Sequence, residues 1–100
     1  MRQSLAAAVF ALALAFPLMT FAAEGTFEAN VERPGGDYST LILDPGSPAR
    51  FCRDACERDA RCRAWTYARP VSAGANPRCM LKSTVPEKKA DPCCVSGVAR

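Results

Sequence analysis

The sequence predicts a small α+β domain, one helix among about five short strands, stapled by disulfides. Three observations predict it. An apolar leader marks the chain for export; six cysteines crowd the remainder; and the hydrophobic period changes from two to 3.6 and back.

The leader comes first. Residues 1–25, "MRQSLAAAVFALALAFPLMTFAAEG", carry one charge at Arg2, an apolar run from Leu5 to Phe16 and small residues around Ala22. That is the layout of a secretory signal peptide. A membrane anchor needs roughly 20 apolar residues, but here Pro17 interrupts the run and no basic stop-transfer cluster follows. The expectation is a signal peptide over 1–22, cleaved after Ala22, and one domain over 23–100. The mature chain would then be secreted or periplasmic, with no stable membrane insertion.

Removal of the leader lowers the net charge of +3 by the one unit of Arg2. Only 15 large apolar side chains remain between Phe27 and Val98. A core of that size contributes roughly 3–5 kcal/mol and ordinarily needs covalent help, which six cysteines in an exported chain supply.

The strands and the helix follow in order. "TFEANV" alternates loosely and suits a short strand. "RPGGD" is a turn in which Gly35 and Gly36 are free to take positive φ. "YSTLIL" is aromatic and β-branched, hence a second strand. At "SPARFCRDACERDARC" the period lengthens. Ser47 is a suitable N-cap with Pro48 at the first helical position. Phe51, Cys52, Ala55 and Cys56 share one face, and Arg50, Arg53, Asp54, Glu57 and Arg58 lie on the other. The charges alternate in sign at i,i+4, from Arg50–Asp54 to Glu57–Arg61, so this is a balanced, solvated face. It is not the surplus positive stripe that nucleic acid requires. "CRAWTYA" returns to period two, with Cys62, Ala64 and Thr66 on one side and Arg63, Trp65 and Tyr67 on the other. "RCMLKS" and "CCVSGV" complete the strands, separated by the loops "RPVSAGANP" and "TVPEKKADP".

Composition excludes several chemistries. The chain has no histidine, so neither a Ser-His-Asp nor a Cys-His site can be built. Glu28, Glu32, Asp37 and Asp44 lack the ligand spacing of a calcium loop, and Asp37 is expected to cap local amides. No cofactor or metal is expected, and an enzyme is the least favoured class.

Cys52 and Cys56 stand one turn apart on the apolar face, so a bridge from each to a following strand would pin the helix across the sheet. Adjacent Cys93 and Cys94 leave more open. Consecutive Cα atoms lie about 3.8 Å apart, short of the roughly 4.4–6.8 Å a disulfide usually spans. A vicinal bridge, a re-paired framework reaching the helix, a redox-active pair and a metal clamp are all writable in this way. A redox pair usually wants a thiol pKa depressed by a helix N-terminus or a basic neighbour; Lys88 and Lys89, near only in sequence, are thin support for that, and the pair reads as structural.

Taken in order, "RPGGDY", "CRDACERDARCRAWTYARP", "CMLKSTVP" and "CCVSGV" resemble the PAN/apple domain in its short bacterial form, over about residues 27–99. The most specific part is the C-x3-C-x5-C-x-A-W-T-Y run. The resemblance implies a helix packed on a curled antiparallel sheet, with Cys56 joined to Cys62 and Cys52 to Cys79. That leaves Cys93–Cys94. A full apple domain also ties its two ends with a bridge, which this chain, lacking cysteine over 23–51, cannot make. The resemblance further implies a non-enzymatic module binding a protein or glycan of the cell envelope or extracellular space. The rivals are a thiol-active envelope protein using Cys93 and Cys94, and a structural one without a ligand. The candidates to meet a ligand are Trp65 and Tyr67, as aromatics, although a lone Trp in a chain this size more often belongs to the core, and Arg69, Asn76 and Arg78 of the long loop, which reads equally as a plain hairpin connection.

Overall fold

Residues 33–36 carry the chain from its first strand to its second, with Gly35 and Gly36 at φ 97° and 75°, a region closed to most side chains. The computed structural model describes residues 24–100; the expected leader and its cleavage after Ala22 lie outside them. The elements are β1 (Glu28–Glu32), β2 (Asp37–Ile42), α1 (Ala49–Glu57), β3 (Ala64–Ala68), β4 (Arg78–Lys82) and β5 (Lys89–Val98). The strands form one antiparallel sheet in the order β1-β5-β3-β4-β2. The fold is the α+β arrangement of one helix on a five-stranded sheet. Among the described residues, no helix is long and apolar enough to cross a membrane.

Side chains on β3 and its neighbours sort into two faces by register. Trp65 lies opposite Leu81 and Gly97, and Tyr67 opposite Cys79 and Val95. These residues and Cys52, Cys56 and Cys62 make up the buried core. The helix therefore covers the aromatic face of β3. Strand parity counted from Cys62 would set the aromatics on the face away from that cysteine. Cys62 is instead the last residue of a turn, its N–H bonded to the Asp59 carbonyl at 3.0 Å, so strand parity cannot be counted through it.

The opposite face of β3 is polar yet covered. Thr66 Oγ1 and Ser96 Oγ share a hydrogen bond of 2.8 Å, and Ser96 Oγ donates to the Val31 carbonyl at 2.7 Å. Arg33, 8% exposed, spans this face: Nε and Nη2 donate to Glu28 at 3.0 and 2.9 Å, and Nη1 to the Pro86 carbonyl at 2.6 Å. Lys82 Nζ reaches the Gly35 carbonyl at 3.0 Å and pairs with Asp37. Asp37 is thus a counter-ion to a buried ammonium rather than a cap for nearby amides. Every side chain of β3 is buried because both faces are roofed.

Three local expectations are corrected. Pro48, at ψ 164°, is itself the N-cap residue and no side chain caps the helix; Ser47 stands one position too early. None of the i,i+4 ion pairs closes. Arg53 meets adjacent Asp54 at 3.1 Å, and Glu57 pairs with Arg100 at 3.0 Å. Strand β5 begins at Lys89, four residues before "CCVSGV", because residues 89–90 pair with β1.

Candidate functional site

The cysteines set the scaffold that any site stands on. Cys52 bridges to Cys79 and Cys56 to Cys62, with Cα separations of 5.4 and 5.2 Å. The first ties α1 to β4 through the core; the second closes the turn between α1 and β3. Cys93 bridges to Cys94 across 3.7 Å, and none of the six cysteines is free.

The vicinal bridge sits where β5 buckles. Ala29 pairs with Val95 and Val31 with Ala90, so four residues of β5 face the single residue Asn30, which adopts φ 59°. Such a bulge bends a strand and disrupts its ladder. Here it is pinned from three sides. The Cys93 N–H donates to Asp91 Oδ1 at 2.9 Å, the Arg69 N–H to the Cys93 carbonyl at 2.9 Å, and Arg69 Nη1 to the Pro92 carbonyl. Glu32, Asp91 and Cys93 bring ligand atoms within 4.8 Å of one another, but a bridged sulfur offers no thiolate to a metal.

The five candidate ligand residues separate in space. Trp65 is fully buried beneath Phe27, ring centroids 5.4 Å apart. Tyr67 is buried as well, its hydroxyl donating to the Ser47 carbonyl at 2.6 Å. Neither presents a ring to a partner, because their face of β3 is the one the helix covers. Arg69 is exposed but engaged with the β5 buckle. Asn76 Nδ2 donates to the Leu43 carbonyl at 2.7 Å, tying the long loop to the end of β2. Arg78 is exposed opposite Ile42. Those three do not converge on one site.

The structure instead opens a groove of about 400 Å³ between α1 and β2, lined by Leu41, Leu43, Phe51, Asp54, Ala55 and Arg58. Its helical wall is an i, i+3, i+4, i+7 stripe running the length of α1. Its other wall is the i, i+2 face of β2. Phe51 is 47% exposed there, although the sequence reading grouped it with the buried cysteines. Cys52 and Cys56 point straight at the sheet, and Phe51 lies a quarter-turn aside. A signal was present: "YSTLIL" carries apolar residues at both parities, more than a one-sided strand needs.

Charge brackets the groove. The Arg50 guanidinium lies 5.5 Å from the Phe51 ring centre, and Arg58 lines the other end. Among the described residues neither forms an ion pair, whereas Asp54 is held by Arg53. Below the helix, the Arg61 guanidinium stacks 4.6 Å from the Tyr38 ring and binds Asp59 at 3.0 Å. Hydrogen bonds from Arg61 hold the Asp59 carboxyl well below the usual range. Burial, with Asp59 nearby, pushes the Tyr38 hydroxyl above its ordinary value, although the two groups make no hydrogen bond of regular geometry.

Curated proteins and solved structures give no match to this chain. A family model described as the PAN domain matches residues 31–82, from the end of β1 through the helix and its bridges to the end of β4. One helix clamped by disulfide to an antiparallel sheet, carrying that match over half its length, makes this chain a member of the PAN domain family.

Proposed function

We propose that this chain is an exported, non-enzymatic module that binds a protein through the groove between α1 and β2. PAN domains are commonly protein- or carbohydrate-binding modules and typically non-catalytic. The observation that carries the protein reading is the lining itself: two leucines, a phenylalanine and an alanine, with Asp54 and Arg58 among them and the Arg50 guanidinium beside the Phe51 ring. Such anchors and rim charges suit a protein surface. Sugar rings favour broad exposed aromatics, and the indole and phenol best suited to that lie in the core. The chain has no histidine to act as a base, and its six cysteines are all bridged and so supply no thiol nucleophile. Three disulfides accord with export to an oxidising compartment.

The test is capture from an envelope extract by the oxidised protein, beside an Ala55→Arg variant and a glycan array. The expected result is a protein retained by the parent and lost with Ala55→Arg, which fills the groove. Glycan binding indifferent to Ala55→Arg would refute the reading.

A further inference from the structure

We infer that the partner enters this groove as an extended segment, added as a sixth strand beside β2, with acidic residues flanking an apolar one in the pattern acidic–x–apolar–x–acidic. This rests on the protein-binding reading and specifies the ligand's form.

The backbone of β2 carries the first part. Leu43 N–H donates to the Pro77 carbonyl at 2.9 Å, which marks 43 and 77 as a hydrogen-bonded pair. In an antiparallel ladder such pairs alternate, so Leu41–Cys79 and Ser39–Leu81 are hydrogen-bonded, and Thr40 and Ile42 are not. The N–H and C=O groups of Thr40 and Ile42 therefore point away from β4. Among the described residues no strand lies beyond them, because β2 ends the sheet. Natural edges are usually blunted by charge, proline or a bulge. The opposite edge, β1, has its irregularity at Asn30 and charges at Glu28 and Glu32. Strand β2 has its own register shift and an acidic residue at Asp37, just before Ser39; the stretch Ser39–Ile42 itself carries no charge, proline or bulge, and Ile42 is 63% exposed.

The groove carries the second part. A strand hydrogen-bonded to Thr40 and Ile42 would send alternate side chains to the helix side, beside Leu41 and Leu43, which is the floor of the groove. Arg50 and Arg58 stand eight residues apart on the helix, about 12 Å at 1.5 Å per residue. An extended chain covers that distance in about four residues, and residues i, i+2 and i+4 share one face. Acidic groups at i and i+4 then meet the two unpaired guanidiniums, and an apolar group at i+2 meets Phe51 and Ala55. Main-chain bonds supply affinity and alternate side chains supply selectivity, as in other strand additions.

The probes are the blocked heptapeptide Thr-Asp-Thr-Val-Thr-Asp-Thr, its double Asp-to-Lys version, and copies N-methylated at one residue of either parity, titrated into the oxidised protein by amide NMR. Methylation at one parity should weaken binding about tenfold, the loss of one hydrogen bond of roughly 1.4 kcal/mol, and methylation at the other should not. The lysine version should bind more weakly than the parent. A Thr40→Pro variant removes an outward N–H without touching the β4 ladder and should bind at least as poorly as the methylated peptide. Equal effects at both parities, no peptide binding, or unchanged binding by Thr40→Pro overturns strand addition. If an envelope protein is still captured by Thr40→Pro but not by Ala55→Arg, the groove reading stands and the strand inference falls.

Discussion

Removing the three bridges one at a time separates what each contributes. In the chain-entropy account, a cross-link stabilises by shrinking the unfolded ensemble, with a gain that grows as the logarithm of the closed loop. Cys52–Cys79 has a sequence separation of 27, Cys56–Cys62 of 6, and Cys93–Cys94 of 1. The corresponding stabilisations are about 3.5, 2.2 and 0.6 kcal/mol at 25 °C. A core of this size contributes roughly 3–5 kcal/mol, so loss of the first bridge alone removes a comparable amount. The double variant Cys52→Ala/Cys79→Ala should be largely unfolded at 37 °C. Cys56→Ala/Cys62→Ala should fold with a melting temperature lower by about 10–15 °C, at 4–8 °C per kcal/mol for a domain this small. Cys93→Ser/Cys94→Ser should lose only a few degrees. Denaturant titration followed by fluorescence of Trp65, which is fully buried, reads all three. If the vicinal pair proves costlier than Cys52–Cys79, loop closure is the wrong account, and the buckle in β5 carries the stability instead.

Gly97→Ala should destabilise by about 1–3 kcal/mol through overpacking, because its Cβ would stand 2.6 Å from Trp65 Cζ2 and against the Thr26 carbonyl; thermal melting measures this. Glu28→Gln should cost about 1.5–3 kcal/mol, the range for hydrogen bonds to charged groups, since it breaks the fork to buried Arg33. The Glu28 carboxyl is lowered chiefly by its hydrogen bond to Arg33. Its contribution is therefore complete above the ordinary glutamate pKa and lost as pH falls through the lowered one. A stability–pH profile of Glu28→Gln should lack that acid limb. Tyr67→Phe should cost about 0.5–1.5 kcal/mol by orphaning the Ser47 carbonyl, with peptide binding unchanged if the ring is purely internal; calorimetry with the heptapeptide checks the second half.

How far the sequence reaches is clearest at particular residues. The change of period at Ser47 and its return after Cys62 are local signals, and they locate α1 and β3 within a residue or two. Strand β5 was half hidden because Lys89 and Ala90 pair with β1 while both are exposed, leaving no alternation to see. That Trp65 belongs to the core was legible, but which side of β3 it and Tyr67 take relative to Cys62 was not, because side-chain parity is a property of a continuous strand and the turn ending at Cys62 interrupts it. The groove was illegible for a different reason. It needs two segments, 41–43 and 51–58, whose approach is set by the bridge from Cys52 to Cys79, and pairing by resemblance says nothing about what lies beside the helix. Phe51 looked like core because periodicity reports the apolar side of a helix, not the angle at which it is laid down.

The ends of the described chain are fastened without sulfur. Thr26 N–H donates to the Val98 carbonyl at 3.0 Å and Val98 N–H to Thr26 Oγ1 at 2.8 Å, beside β1 and β5 at one margin of the sheet. Strand β2 is the other margin, with β5, β3 and β4 between the two. A fluorophore, a surface tether or a fused partner attached at either end will therefore hang from the closed side of the molecule. Immobilised through its termini, the protein should face a flowing sample with its open edge.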